Sequence, residues 1–325
     1  MSVSEIVEES IMVPLDNGHQ LHIRRLCGGS NAPPVLMLHG LLEDGTVFYS
    51  RSKRGLAYSM ASAGFDVYIP DLRGKGRSWP HLSEILQYRV YDAVTSDIPT
   101  LLEAISTHCG SAPKFWVAHG WGGVLLTSFL ARYPQYRSGT LGLVYFGTRR
   151  VASTQNLQRR VFVDALWGWL AGAVSKLRGF IPGGLLKMGP SDEFSSMRSE
   201  NIAWMQGASW VDPSDKFDYG AALSEGLEYP PSLYIASKSD LTYGNPRDVS
   251  EFMREVGSHN GRLIILDKEG GSQHNYRHST MLTHPDAATD HFPLVLSWME
   301  EMICLKNEAV PLTNTPPASS GVESP

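Results

Sequence analysis

Apolar residues fall in two rhythms along this chain. Pro34–Leu38 (PVLML) is an unbroken apolar run of the kind buried on both faces of a parallel sheet, and Lys114–Ala118 (KFWVA) and Thr140–Phe146 read as strands like it. Asp66–Ile69, Ser232–Ala236 and Arg262–Leu266 are further strand candidates, and Gly55–Gly64, Val90–Thr107, Gly122–Arg132, a stretch near Arg247–Val256 and Phe292–Leu305 read as helices. Ahead of them, Ser10–Asp16 and Gln20–Leu26 flank an Asn17-Gly18 turn, a hairpin signal. Strands alternating with helices predict an α/β protein with a doubly wound, mostly parallel sheet.

The rhythm breaks after Thr148. Asn156–Gly179 is helical and rich in tryptophan, whereas Pro182–Tyr229 is irregular and contains Trp204 and Trp210. The segment at about 150–229 is therefore expected to be an insertion, a helical cap. Phe162, Leu166, Trp169, Leu170, Ala173 and Leu177 share one face at helical spacing, with Trp167 beside them. Two readings of that face stay open: a helix packed on the domain core, or the wall of an apolar pocket. The rhythm resumes at Ser232 and ends at residue 305, giving one domain over 1–305. The tail, 306–325, is rich in proline, serine and threonine and is expected to be disordered.

Composition narrows the choice of partner. At 42% hydrophobic and 19% charged the chain is ordinary globular material, and its net charge of −5 offers no basic field for nucleic acid. Arg159, Arg160, Lys176 and Arg178 are too few to make the insertion a basic membrane-binding face. No run reaches the roughly 18 apolar residues of a membrane span. Cys27, Cys109 and Cys304 are odd in number and widely spaced, neither a disulfide framework nor a metal pair. With an acidic start lacking an apolar run, the expected location is the cytoplasm.

The sharpest motif is Val117-Ala118-His119-Gly120-Trp121-Gly122-Gly123, directly after a strand and directly before a helix. A tight turn in that setting lifts one side chain above the sheet edge, with small neighbours at Ala118 and Gly122. Here the chain resembles the α/β-hydrolase superfamily, and in particular bacterial esterase- and lipase-like members that read H-S-W-G-G at their nucleophile elbow. Two further motifs carry the likeness: Leu38-His39-Gly40-Leu41, similar to the family's oxyanion segment, and Asp71-Leu72-Arg73-Gly74 with Gly76 and Ser78, similar to its D-x-R-G-x-G-x-S turn.

The resemblance implies a catalytic acid after a late strand, a place filled by Asp240 in Ser237-Lys238-Ser239-Asp240. It implies a histidine ahead of the last helix, for which His278 ranks first and His291 second. It also implies oxyanion donors from the backbone N–H groups of Leu41 and Trp121, and no cofactor or metal. Three positions depart from the pattern. Arg277 stands where relatives carry glycine and Thr280 where they carry aspartate, but the decisive departure is Gly120 in place of the serine.

Acyl transfer needs a hydroxyl whose proton the histidine takes, and glycine has none. Loss of the nucleophile in such a triad costs about 10⁶ in turnover. Two functions therefore stay open. The chain is a hydrolase-family protein for an apolar carboxylic ester, with serine chemistry lost and at most a bound water activated by His278 and Asp240. Alternatively, it is a pseudoenzyme that binds a small apolar ligand or a partner.

Overall fold

Side chains on a strand alternate between faces, so a strand sandwiched between helix layers must be apolar at every position. That is what the central strands do. Leu36, Leu38, Trp116, Ala118, Leu143 and Tyr145 enter the core on one side, while Val35, Met37, Phe115, Val117, Val144 and Phe146 enter the core on the other. The computed structural model describes residues 5–308 except 17, 86, 226 and 227.

Eight strands form the main sheet: β1 (Val7–Pro14), β2 (Gln20–Cys27), β3 (Pro34–Leu38), β4 (Asp66–Asp71), β5 (Phe115–His119), β6 (Gly142–Phe146), β9 (Ser232–Ser237) and β10 (Gly261–Leu266). Between β6 and β9 lie two short strands, β7 (Phe180–Ile181) and β8 (Glu193–Phe194), which pair with each other. The order in the main sheet is β1-β2-β4-β3-β5-β6-β9-β10. β2 pairs antiparallel with β1 and β4, and all other neighbours are parallel. This is the α/β-hydrolase fold.

The helices Ile98–Cys109, Trp121–Arg132 and Pro246–Glu255 cover one face, and Leu56–Ser62 and Phe292–Glu308 cover the other. From β3 the chain winds outward to β4, then returns across β3 to β5. The crevice beyond the C-terminal ends of β3 and β5 is thus the topological switch point, where open α/β sheets bind ligands. His39-Gly40 and Gly120 both sit there.

Element boundaries shift by a few residues from the sequence reading, and Val90–Thr107 is divided. Val90–Asp92 and Ala93–Asp97 form the first turns, and Ile98–Cys109 ends where Gly110 takes a left-handed φ of 78°. Asn17 of the expected hairpin turn and residues 309–325 of the expected tail lie outside the described residues. The last helix runs to Glu308, past the expected end at Leu305.

The insertion differs more. The stretch expected to be irregular contains β8 and two helices, Ser195–Met205 and Tyr219–Ser224. Their order comes from long-range aromatic packing: Trp204 is buried and lies 5.7 Å from Trp121, 6.3 Å from Trp210 and 5.9 Å from Tyr219, centroid to centroid. Local periodicity carries no trace of such contacts.

The tryptophan-rich helix runs through Leu157–Arg159, Arg160–Leu170 with wide i→i+5 turns, and Ala171–Arg178. Wide turns take more residues each, so a face counted at 3.6 residues per turn drifts around the axis. Trp167 and Ala171 are buried, whereas Trp169 and Leu177 of the expected apolar face are 75% and 88% exposed. Only Phe162 and Leu166 of that face reach the cleft. Neither reading of the whole face holds.

Candidate active site

β5 ends at His119 and the next helix begins at Trp121, so a single residue, Gly120, makes the turn. Its φ is 50° and ψ −121°, a conformation that costs an L-residue with a side chain about 1–3 kcal/mol. Its N–H donates to the Phe146 carbonyl at 2.9 Å, tying the turn to the neighbouring strand. Gly122 is required for another reason: a Cβ there would lie 2.5 Å from the carbonyl oxygens of both Leu38 and His39.

A Cβ built on Gly120 would stand 3.1 Å from Nε2 of His278. The other ring nitrogen of His278, Nδ1, is 2.7 Å from Oδ2 of Asp240. Asp240 follows β9, is buried, and also accepts the N–H groups of Tyr243 at 2.9 Å and Thr242 at 3.3 Å. Burial alone would push its carboxyl up, but the charge and hydrogen bond of His278, with these backbone donors, hold it below the usual range. Gly120, Asp240 and His278 are therefore brought together.

His291 is not with them. It is buried, donates from Nε2 to the Met281 carbonyl at 2.7 Å, and packs 4.7 Å from Tyr276. Burial drives its pKa down.

Leu41 and Trp121 both line the same cleft. As the first residue of its helix, Trp121 has an N–H without an intrahelical acceptor. The segment His39–Leu42 is braced from two sides. His39 donates from Nδ1 to the Gly40 carbonyl at 2.9 Å and accepts the Leu72 N–H on Nε2 at 3.1 Å. Leu42, at a φ of 59°, donates its N–H to Glu193 of the cap at 3.0 Å and accepts the Ser191 N–H at 2.9 Å. Glu193 in turn pairs with Lys75 at 3.0 Å, both side chains being buried. Lys75 belongs to the D-x-R-G-x-G-x-S turn, so through Glu193 that motif anchors the cap to the loop at Leu42.

Sequence reasoning missed four of these groups. Glu43 accepts the Gly40 N–H at 2.9 Å and binds His119 Nδ1 at 2.8 Å. Arg149 is buried in the cleft wall and donates to the carbonyls of Tyr243 at 2.7 Å and Thr242 at 2.9 Å, which steadies the loop after Asp240. Glu193 and Lys75 are the others. Glu43 lies only three residues after Gly40, yet nothing in the spacing links it to a histidine 76 positions later.

The cleft has a volume of about 1130 Å³. Gly40, Gly120 and His278 form its floor, and Phe162, Leu166 and Met205 face it from the cap. No helix among the described residues is long and apolar enough to cross a membrane.

Comparison with known proteins agrees with this fold. Residues 33–139 match the family model for the alpha/beta hydrolase fold. Human lysosomal acid lipase/cholesteryl ester hydrolase is 26% identical over 192 residues, covering 50% of this chain and 48% of that protein. The chain spans less than half the length of the curated relatives it matches. Among solved structures, the esterase Pf2001 of Pyrococcus furiosus aligns with a TM-score of 0.57 at 12% identity, covering 92% of each chain. The esterase RhEst1 from Rhodococcus sp. ECU1013 aligns at 0.55 and 14%, covering 90% of this chain and 99% of that one. The chain has the α/β-hydrolase fold, and lipases and esterases are among the proteins it is similar to.

Proposed function

We propose that this chain binds a small apolar carboxylic ester, or a ligand shaped like one, in the cleft beneath its cap, and that acyl-enzyme chemistry is lost at position 120. One observation carries the reading: the position facing His278 Nε2, 3.1 Å from a would-be Cβ, belongs to a glycine. In this reading Asp240 orients His278, His278 is the base, and the N–H groups of Leu41 and Trp121 receive the negative charge of an ester oxygen. The apolar Phe162, Leu166 and Met205 would take the acyl or alkyl part. The name of the human relative, which hydrolyses a cholesteryl ester, points toward ligands of this apolar class.

Without a hydroxyl, the remaining chemistry is general-base activation of a water by His278 and Asp240, which contributes roughly 10²–10⁴. A non-catalytic binder is the second reading, and Gly120 itself favours it. A cytoplasmic location fits the three free cysteines, Cys27, Cys109 and Cys304.

Turnover of p-nitrophenyl octanoate, before and after treatment with a fluorophosphonate, tests the proposal. Slow hydrolysis unaffected by the reagent supports water-based chemistry. No hydrolysis, with saturable binding of octanoate by calorimetry, supports the binder. Fast hydrolysis abolished by the reagent would reveal another nucleophilic serine and overturn the role given to Gly120.

A further inference from the structure

The loop that carries His278 is flanked by a second group of donors, outside the cleft and independent of the ester reading. His274 lies four residues before His278, and His284 and Asp286 follow the short helix Thr280–Thr283. One donor atom from each of the three lies within 4.8 Å of the others. We propose that His274, His284 and Asp286 bind a zinc-class divalent cation, which ties the His278 loop to the turn behind it.

Two imidazoles and one carboxylate are the donor set that suits zinc and its neighbours, whereas calcium and magnesium favour oxygen ligands. His274 Nε2 is already 2.6 Å from Asp286 Oδ2, and the rings of His274 and His284 are 4.3 Å apart, centroid to centroid. At metal–ligand distances of roughly 2.0–2.2 Å, a tetrahedral ion would hold its donors about 3.4 Å apart. The cluster therefore has to rearrange: the His274–Asp286 pair opens by about 0.8 Å, and a separation at the 4.8 Å limit closes by about 1.4 Å. His274 and Asp286 can do so, because their side chains are 41% and 48% exposed. His284 Nδ1 accepts the Asp286 N–H at 3.3 Å, a long contact that an ion can displace at small cost. The same exposure leaves water room to complete the coordination.

The backbone beneath the cluster is fixed. Tyr276 is buried, with its ring edge-on to His274 at 5.8 Å and to His284 at 5.6 Å. Its hydroxyl donates to Asp290 at 2.7 Å, and the Gln273 N–H donates to the same carboxylate at 2.8 Å. Both stems of the site are thus held before an ion arrives.

The test is a titration of zinc chloride into chelator-treated protein, followed by calorimetry and by thermal unfolding. One equivalent should bind, and the unfolding temperature should rise with zinc concentration, because an ion held only by the native state stabilises it. Magnesium chloride should do neither. His274→Ala and His284→Ala should each weaken zinc binding by at least the roughly 10–100-fold that loss of an outer partner costs. Asp286→Asn, which keeps the shape of the turn, should weaken it as well. His278→Ala should bind as the unaltered protein does. The proposal is overturned if no equivalent binds, if the three variants bind zinc as well as the unaltered chain, or if His278→Ala alone abolishes binding, which would put the ion in the cleft. Circular dichroism of the chelated variants separates lost binding from lost folding.

Discussion

His119 donates from Nε2 to the main-chain carbonyl of His278 at 3.2 Å, and the two rings lie 4.3 Å apart. Through its Nδ1 the same imidazole binds Glu43, whose carboxylate also holds the Gly40 N–H. One buried pair thus joins the Gly40 segment, the turn at Gly120 and the His278 loop. Burial alone would raise the Glu43 carboxyl, but the charge and hydrogen bond of His119, and the charge of His278, hold it at about 2. Burial alone would lower His119, but Glu43 outweighs it and the net shift is upward. Both directions describe an ionised pair.

The pair sets a pH window for stability. Glu43 is depressed from 4.5, so its contribution is present above about 4.5 and is lost as pH falls toward about 2. His119 is raised from 6.5, so its contribution is full below 6.5 and is lost as pH climbs through its folded pKa. Glu43→Gln should therefore cost most between about pH 4.5 and 6.5, on the order of the 3–5 kcal/mol seen when a buried pair is broken. Urea unfolding of both proteins across the range checks this. A cost that stays constant with pH would mean that the pair is not ionised.

The parts of this architecture that were legible in sequence are local ones. β3 and β5 announce themselves because Pro34–Leu38 and Phe115–Ala118, buried on both faces, carry no polar residue, and the elbow because one motif joins a strand to a helix. Gly120, Asp240 and His278 were pointed to by the resemblance to α/β-hydrolases, and the fold brings the three together. Glu43, Arg149 and the Lys75–Glu193 pair were not pointed to, because each acts on a residue far away in sequence. The cap was misread for a related reason. A 3.6-residue count puts Trp169 on the apolar face with Trp167 beside it, whereas the wide turns and the Asn201 side chain, which accepts the Trp167 indole N–H at 2.9 Å, go with a buried Trp167 and an exposed Trp169.

Because Glu193 serves both Lys75 and the Leu42 N–H, the cap and the loop at Leu42 should be energetically coupled. Glu193→Ala leaves Lys75 buried without its partner and should cost about 3–5 kcal/mol of stability. Replacing both charges with apolar residues, Glu193→Leu with Lys75→Met, should cost far less than the sum of the single changes. Equilibrium unfolding in urea gives the four values of this cycle. Strict additivity would mean that the two side chains do not depend on each other.

Position 120 gives the most direct prediction. On the proposed reading, Gly120→Ser supplies a hydroxyl beside the hydrogen-bonded Asp240 and His278, and hydrolysis of short- and medium-chain p-nitrophenyl esters should rise. The gain should approach the roughly 10⁶ that loss of a triad nucleophile costs, less whatever the new side chain cannot align. Alignment has a definite obstacle, since a Cβ at 3.1 Å from His278 Nε2 requires the imidazole to retreat by a few tenths of an ångström. Stability should fall in the same variant, by about 1–3 kcal/mol, because serine must now hold a φ near 50°. Activity gained and stability lost are thus expected together. Adding His278→Ala to Gly120→Ser should abolish the new activity, since the hydroxyl would lose its base. Ester turnover and thermal unfolding of the three proteins decide the matter. Equal turnover with glycine or serine at position 120 would show that this position does not limit the chemistry. A stable Gly120→Ser variant with no activity would place the defect elsewhere in the cleft and favour the ligand-binding reading.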